Sequence, residues 1–348
     1  MSTAPALVGL NAAVAAVTAA GAVYFTRVRM PRPPVGRYEL PDVAVMGAVV
    51  VAAPLVYLAA PRAAVAVVFG LVLCVALQFT LAPLTGAGRA WAAAVALVAV
   101  TAGCALADLP VAVTALTDVL LAVAVVGVAN MWAQSGMRSA HAAWFAGTLC
   151  CYDLVATGLT SVMDRFAAQV MGLPFAPLLA VTQGRPPVAL GLGDLLLLTL
   201  FPLVALKAFG RAAALLAAAV GLAVSASVSL LFGLGVLTGA FPLLTALGPL
   251  IVLQHVLWSR ARSGERTTAE WHAGAARPAA ADAPTGPDPA LLLALEPTGL
   301  DALPTAPSSG DWLAVVDGRA VGSGRTPGRA HKDARRRGCA ETPVVRRH

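Results

Sequence analysis

Two aspartates lie inside apolar stretches of this sequence, where carboxyl groups are rare. Asp153 follows the run HAAWFAGTLCCY, and Asp194 ends the tetrapeptide GLGD at the head of LLLLTLFPLVAL. An ionisable group inside a membrane-spanning segment is costly and usually functional, as a proton relay, an ion site or a catalyst. If the two side chains meet, they can share one proton and activate a water molecule together, because like charges in a dry site cannot both ionise.

The composition indicates a membrane protein. The 348-residue chain is 59% hydrophobic and 12% charged, and its apolar runs of about 20 residues can cross a hydrocarbon core of roughly 30 Å. These runs lack the period-2 alternation of barrel strands, so the predicted fold class is all-α and polytopic. The net charge of +7 suits the loops that orient a membrane protein, so nucleic acid is not an expected partner.

Cysteine usage gives no sign of a disulfide framework or a metal site. Four of the five cysteines lie in apolar runs, the fifth lies near the C-terminal end, and no C-x-x-C pair occurs. Such scattered cysteines are not typical of a zinc centre. We expect neither a metal nor a cofactor.

Proline, glycine and charged residues divide the apolar sequence into nine predicted spans. These are residues 4–25, 42–60, 63–84, 90–108, 110–132, 141–162, 187–208, 212–237 and 240–258. Asp153 lies about nine residues from one end of span six, and Asp194 about seven residues from the same side in span seven, so their depths agree within roughly one helical turn. The two carboxyls are therefore expected to face one another. Asp118, in span five at comparable depth, is expected to pair structurally with a neighbouring polar group.

The distribution of positive charge predicts the orientation in the cell membrane. Placing the N-terminus outside and the C-terminus in the cytoplasm puts eleven Lys and Arg residues on the cytoplasmic side and three on the other, as the positive-inside rule favours. The eleven are Arg27, Arg29, Arg32, Arg37, Arg89, Arg138, Lys207, Arg211, Arg260, Arg262 and Arg266, and the three are Arg62, Arg165 and Arg185.

The composition changes after residue 258. Residues 259–348 are rich in Ala, Pro, Gly, Thr, Arg and Asp, and such a segment buries too little apolar surface to offset its ordering entropy. We therefore predict a domain of nine membrane helices over residues 1–258 and a mostly disordered cytoplasmic tail over residues 259–348. Within the tail, WLAVVDGRAVG can form a hairpin around Asp317-Gly318, although an isolated hairpin is marginally stable.

Three motifs give the nine-span region a family resemblance. YD ends at Asp153 in span six, GLGD ends at Asp194 in span seven, and PLLTALGP opens span nine at residues 242–249. In this order and at these depths they resemble the YD, GxGD and PAL motifs of the intramembrane aspartyl proteases, the presenilin and signal peptide peptidase family. The resemblance covers about residues 1–258.

The resemblance implies a role for each matching residue. Asp153 and Asp194 correspond to the catalytic pair, and Tyr152 to the tyrosine before the first aspartate. The residues implied to bind substrate or shape the site are Tyr152, Gly191, Leu192, Gly193, Pro242, Leu243 and Leu244. Leu243 is a departure, because the family has Ala there, and a bulkier side chain alters how a substrate approaches or marks a degenerate enzyme.

The implied activity is hydrolysis of peptide bonds within transmembrane segments of other proteins, including leftover signal peptides, inside the lipid bilayer. Two other functions fit the same acids. A proton- or ion-coupled transporter would use them as a relay, but it needs more polar lining than Asp118 and Gln78 supply. A prepilin peptidase is also a GxGD membrane protease, but that family usually has Lys soon after the motif, where this chain has Leu195 onward.

Overall fold

The computed structural model describes residues 4–30, 40–180, 189–237, 241–262, 264–266, 270–271, 311–316, 319–337, 339 and 343–347. The chain divides into two compact units, residues 1–276 and 277–348. The first unit is helical and carries all three motifs. The second is a small α/β unit.

The first unit contains ten helices whose bounds the structure describes. In chain order they are α1 (Ala4–Arg27), α2 (Leu40–Ala59), α3 (Arg62–Thr85), α4 (Ala87–Leu106), α5 (Pro110–Gln134), α6 (Ser139–Asp153), α7 (Val162–Val170), α8 (Leu192–Phe209), α9 (Arg211–Gly233) and α10 (Leu243–Ala261). Within the described residues, nine of these are long and apolar enough to cross a membrane, the exception being α7. The predicted number of spans is confirmed.

The outer surface of the helices is as apolar as their interior. Val8 is 69% exposed, Leu71 63% and Leu215 71%. A surface of this kind is unfavourable in water and fits a lipid environment, since a helix that is hydrophobic all round is a core or membrane helix. The protein is therefore an integral membrane protein with an all-α membrane unit.

Helix α8 lies at the centre of this unit. It packs against α1, α5, α6, α9 and α10, and most of its side chains are buried. Its LLLLTLF run therefore faces other helices on every side. Asp194 lies in the first turn of this central helix.

Helices α6 and α10 make a close contact through a glycine. A Cβ atom at Gly248 would lie 2.6 Å from the Cβ of Cys150 and 2.9 Å from the carbonyl oxygen of Ala146. The absence of a side chain at Gly248 therefore allows the start of α10 to reach the end of α6. Helix α10 continues through Pro249, which has no N–H, and Cys150 Sγ lies 3.9 Å from the carbonyl oxygen of Thr245 one turn earlier.

The chain between α6 and α8 is irregular. Residues Leu154–Leu159 form a π-helical turn directly after α6, followed by α7 and by a hairpin of strands β1 (Leu178–Ala180) and β2 (Ala189–Gly191). Span six was predicted to continue to residue 162, and span seven to begin at residue 187. Both limits are wrong, because a helical break follows Leu159 and an extended strand occupies residues 189–191.

The second unit is a three-stranded antiparallel sheet with one helix. Strands β3 (Trp312–Val316), β4 (Arg319–Gly324) and β5 (Val344–Arg347) lie in the order β4-β3-β5, and helix α11 (Pro327–Arg336) packs on the sheet. The pairing of Val316 with Arg319 matches the hairpin that the D-G pair predicts. Residues 317–318 themselves lie outside the described residues.

The prediction of a mostly disordered tail is wrong for the residues between 312 and 347 that the structure describes. Small side chains stabilise the unit, because Ala314, Ala330 and Ala334 are fully buried between sheet and helix. A Cβ atom at Gly322 would lie 2.5 Å from the backbone nitrogen of Ala334, so this glycine permits the close contact. The rest of the tail, residues 272–310, lies outside the described residues.

We predict that Gly248→Ala destabilises the membrane unit by about 1–3 kcal/mol, the usual cost of overpacking a tight contact. The melting temperature of the purified protein in detergent measures this loss. Gly103→Ala in α4 is the matched control, because a Cβ atom there would meet nothing within 4 Å. Equal melting temperatures for the two variants would show that the contact between α6 and α10 is not close.

Candidate active site

Asp194 lies in the first turn of α8. Gly191 is the residue before the helix, and its backbone N–H donates a hydrogen bond to the Asp194 carboxylate. An acid at the third helical position that accepts from the N-cap backbone satisfies one of the N–H groups left free at a helix start. The prediction that Asp194 lies two turns inside a helix is therefore wrong, since the helix begins at Leu192.

Gly191 is required for space and not for an unusual backbone conformation. Its φ of −65° and ψ of 147° are accessible to any residue, and Gly193 is part of the α8 helix. A Cβ atom at Gly191 would lie 3.0 Å from Oδ2 of Asp194, whereas one at Gly193 would meet nothing within 4 Å. The backbone at both glycines is therefore ordinary, and Gly191 leaves room for the Asp194 carboxylate beside it.

The hairpin leads directly into the GLGD motif. Strands β1 and β2 pair antiparallel, with Leu179 opposite Leu190 and Leu178 opposite Gly191. The Leu192 N–H donates to Pro177 O at 3.0 Å. Because hydrogen-bonded and non-hydrogen-bonded pairs alternate in such a ladder, the backbone groups of Ala189 and Gly191 point away from β1. The edge of β2 that faces away from β1 therefore lies beside Asp194.

Asp118 of α5 anchors this hairpin. Its Oδ1 accepts a hydrogen bond of 2.9 Å from the Ala180 N–H, and the Thr117 hydroxyl accepts one of 3.2 Å from the Phe175 N–H. The outer edge of β1 is thus bound to α5. The prediction that Asp118 pairs structurally with a neighbour is confirmed.

Asp153 lies at the end of α6, where the π-helical turn begins. Its Oδ1 accepts from the Thr157 hydroxyl at 2.9 Å, and its Oδ2 accepts from the Leu244 N–H at 3.2 Å. Leu244 is the second residue of α10, and Pro242 is the residue before that helix. The PLL sequence therefore supplies Asp153 with a backbone N–H that has no partner inside its own helix.

The structure places Asp153 and Asp194 within electrostatic range of one another. The charge of Asp153 acts on Asp194, and each carboxylate accepts a backbone N–H at the start of a helix, α10 and α8 respectively. Since a helix N-terminus carries partial positive charge, both positions favour a carboxylate. The three motifs thus meet at one place.

The other residues predicted for the site contact the neighbouring helices or the hairpin, or are buried. The Tyr152 hydroxyl contacts Met163 Sδ of α7 at 3.8 Å, so it is directed towards α7. The side chains of Leu243 and Leu244 are buried, 4% and 7% exposed. Leu192 begins α8 and joins it to the hairpin through Pro177.

Sequence reasoning missed the hairpin, the π-helical turn and Thr157. A threonine four residues after an aspartate in a helix can reach its carboxylate, so Thr157 left a local signal. The hairpin left little, because its three-residue strands LLA and ALG are apolar like their surroundings. π-Helical turns occur often at functional sites, but no residue pattern marked this one.

Comparison of the chain with family models, with curated proteins and with solved structures finds no match.

We predict that Asp118→Ala loosens the hairpin, because the Ala180 N–H then loses its acceptor at a cost of about 1 kcal/mol. Hydrogen exchange of peptides covering residues 173–180 measures the change and should be faster. Asp118→Asn retains an acceptor oxygen and should exchange as the unmodified protein does. Equal exchange in the alanine variant would show that this hydrogen bond does not hold the hairpin.

Proposed function

We propose that the protein is an intramembrane aspartyl endopeptidase in which Asp153 and Asp194 are the catalytic pair. The observation that carries the proposal is that the two carboxylates lie within electrostatic range of one another, each bound to a backbone N–H at the start of α8 or α10. One arrangement of two acids and two backbone donors therefore forms from residues that are far apart in the sequence, among them Asp153, Gly191 and Leu244. An intramembrane acid with a purely structural role needs only a single hydrogen-bond donor.

The pair hydrolyses a peptide bond by joint acid and base catalysis. Two neighbouring carboxyls in a site of low polarity share one proton, since both cannot ionise there. The ionised member takes a proton from a water molecule, and the neutral member donates its proton to the scissile carbonyl. The two acids act as one unit, so neither role is assigned to one residue.

The donors around the pair orient the carboxylates before substrate arrives. Thr157 and Leu244 occupy one oxygen each of Asp153, and Gly191 holds Asp194. Orientation of this kind reduces the reorganisation needed in the transition state. The open space beside Gly193 is where a substrate backbone approaches the pair.

A substrate binds as an added strand on β2. The N–H and carbonyl of Ala189 point away from β1, two residues before Gly191, whose own N–H is bound to Asp194 at the start of α8. An extended segment that pairs with this edge exposes its peptide bonds, which are shielded in a helix. The PLL motif supplies no such edge, since α10 is helical from Leu243 onward.

The alternative of a proton-coupled transporter fits the surroundings of the pair less well. Between Asp194 and Lys207, the buried side chains of α8 are apolar apart from Thr199, whose hydroxyl bonds Leu195 O at 2.9 Å. A relay along α8 needs further polar groups. The protease requires polar groups only at the end of the bundle where the pair lies.

We predict that Asp153→Asn and Asp194→Asn each reduce cleavage of a membrane-spanning reporter by at least about 10²–10⁴-fold, the typical contribution of a positioned acid or base. Purified full-length protein in detergent, with quantified reporter fragments, measures the rate. Asp108→Asn is the matched control, because Asp108 is exposed at the turn before α5 and its φ of 52° is a conformation that Asn adopts readily.

Cleavage that persists in both active-site variants would contradict the assignment of the pair. An equal loss of cleavage in Asp108→Asn would show that the other two substitutions act by disturbing the protein as a whole. Circular dichroism of each variant shows whether the helices remain formed.

The proposed location is the cell membrane, with the N-terminus outside and the C-terminus in the cytoplasm. The basis is the excess of Lys and Arg on one side of the spans. With this orientation the resemblance to signal peptide peptidase implies substrates that are single membrane spans with cytoplasmic N-termini, leftover signal peptides among them.

We predict that a green fluorescent protein fused after His348 fluoresces in cells and that an alkaline phosphatase fused there is inactive. The first reporter requires the cytoplasm and the second the outside. Active phosphatase together with a dark fluorescent fusion would reverse the orientation and the expected class of substrates.

A further inference from the structure

The segment that follows α10 returns to the ends of the two helices that carry the aspartates. We call residues 264–266 the return segment. Glu265 Oε2 accepts a hydrogen bond of 2.7 Å from the Ser139 N–H at the start of α6. Arg266 donates from its backbone N–H to Ala208 O at 3.1 Å and from Nη2 to Leu206 O at 3.0 Å, both in the last turn of α8.

These contacts match the charge of each helix end. The start of α6 has free N–H groups and partial positive charge, and the end of α8 has free carbonyl groups and partial negative charge. A carboxylate binds the first and a guanidinium binds the second. Two neighbouring residues of opposite charge therefore hold the ends of two antiparallel helices.

Lys207 reinforces the connection. Its side chain is only 2% exposed, and Nζ donates to Ala133 O and to Met137 O at 2.6 Å each. Met137 comes shortly before α6, so Lys207 ties α8 to the chain that enters α6. A buried ammonium is unfavourable unless it is hydrogen-bonded and paired, and Glu265 is the nearby opposite charge. His255 of α10 also contacts Ser139, with 3.0 Å between Nδ1 and Oγ.

The return segment lies equally far from both aspartates. Fourteen residues separate Ser139 from Asp153, and fourteen separate Asp194 from Ala208, which corresponds to about 21 Å along each helix at 1.5 Å per residue. The π-helical turn begins after Asp153, so α6 is regular between the return segment and the acid. A slide of α6 along α8 at this end therefore displaces Asp153 relative to Asp194 by a similar distance.

We propose that Glu265 and Arg266 are positioning residues that fix the axial register of α6 against α8 and thereby set the separation of Asp153 and Asp194. The effect on catalysis rests on the proposed function, whereas the effect on the separation of the two carboxyls does not. Since a misplacement of about 1 Å at a catalytic group can cost about 10²-fold in rate, two contacts at the far end of the bundle control the chemistry.

The first test measures kinetics of the full-length protein on the membrane-spanning reporter. Glu265→Ala and Arg266→Ala should each lower kcat by about tenfold or more with KM unchanged, because substrate docking at β2 is not altered. Glu265→Gln should restore most of kcat, because its amide oxygen still accepts from the Ser139 N–H and only the charge opposite Lys207 is lost. Arg260→Ala is the matched control, since Arg260 is an exposed arginine in the last turn of α10.

The second test reports the register without catalysis. The five native cysteines are replaced by serine, and Asp153→Cys with Asp194→Cys provides two thiols for the short crosslinker ethane-1,2-diyl bismethanethiosulfonate. Glu265→Ala and Arg266→Ala should slow crosslinking several-fold in this background, and Glu265→Gln should not.

The outcomes separate the two proposals. Slower crosslinking together with an inactive unmodified protein would support the register role and contradict the protease. An active unmodified protein with unchanged kcat and crosslinking in Glu265→Ala and Arg266→Ala would overturn the register role. A raised KM with unchanged kcat would also overturn it, because the return segment would then act on substrate binding.

Discussion

A carboxylate inside the membrane needs hydrogen-bond donors that lipid does not provide, and this requirement organises the site. The donors come from backbone N–H groups at two helix starts, Gly191 before α8 and Leu244 in α10. Such groups have no partner within their own helix and point along its positive end. The same two helix starts that stabilise Asp153 and Asp194 also place them next to one another.

The rest of the membrane unit follows from the need to create those helix starts at one depth. Regular α-helix satisfies every backbone group internally, so free N–H groups require interruptions. The π-helical turn after Asp153, the hairpin before Leu192 and Pro242 before α10 are such interruptions. Asp118 secures the hairpin, and Gly248 brings α10 close to α6. At the other end the helices are regular and tied together by Lys207, Glu265 and Arg266.

The parts of the structure with strong local signals could be predicted from the sequence. Nine spans followed from hydrophobicity, and the encounter of Asp153 with Asp194 followed from their comparable depth. The start of α8 was misplaced because the apolar strand ALG reads as part of the helix that follows it. The fold of the described residues between 312 and 347 was missed because β5 pairs with β3 across a long sequence separation. In addition, four of the five hydrophobic residues buried there are alanines, to which hydrophobicity scales assign low values. The contacts of Glu265 and Arg266 depend on the chain returning to α6 and α8, which no local pattern encodes.

The central claim is that the two aspartates hold one water molecule between them. The most direct test is an experimental density map of the unmodified protein in a lipid environment, at a resolution that shows ordered water. We expect one water within about 3.2 Å of an oxygen of each carboxylate, with Asp153 still bound to the Leu244 N–H. Carboxylates directed to different surfaces of the bundle, each with its own separate partners and no shared water, would contradict the account.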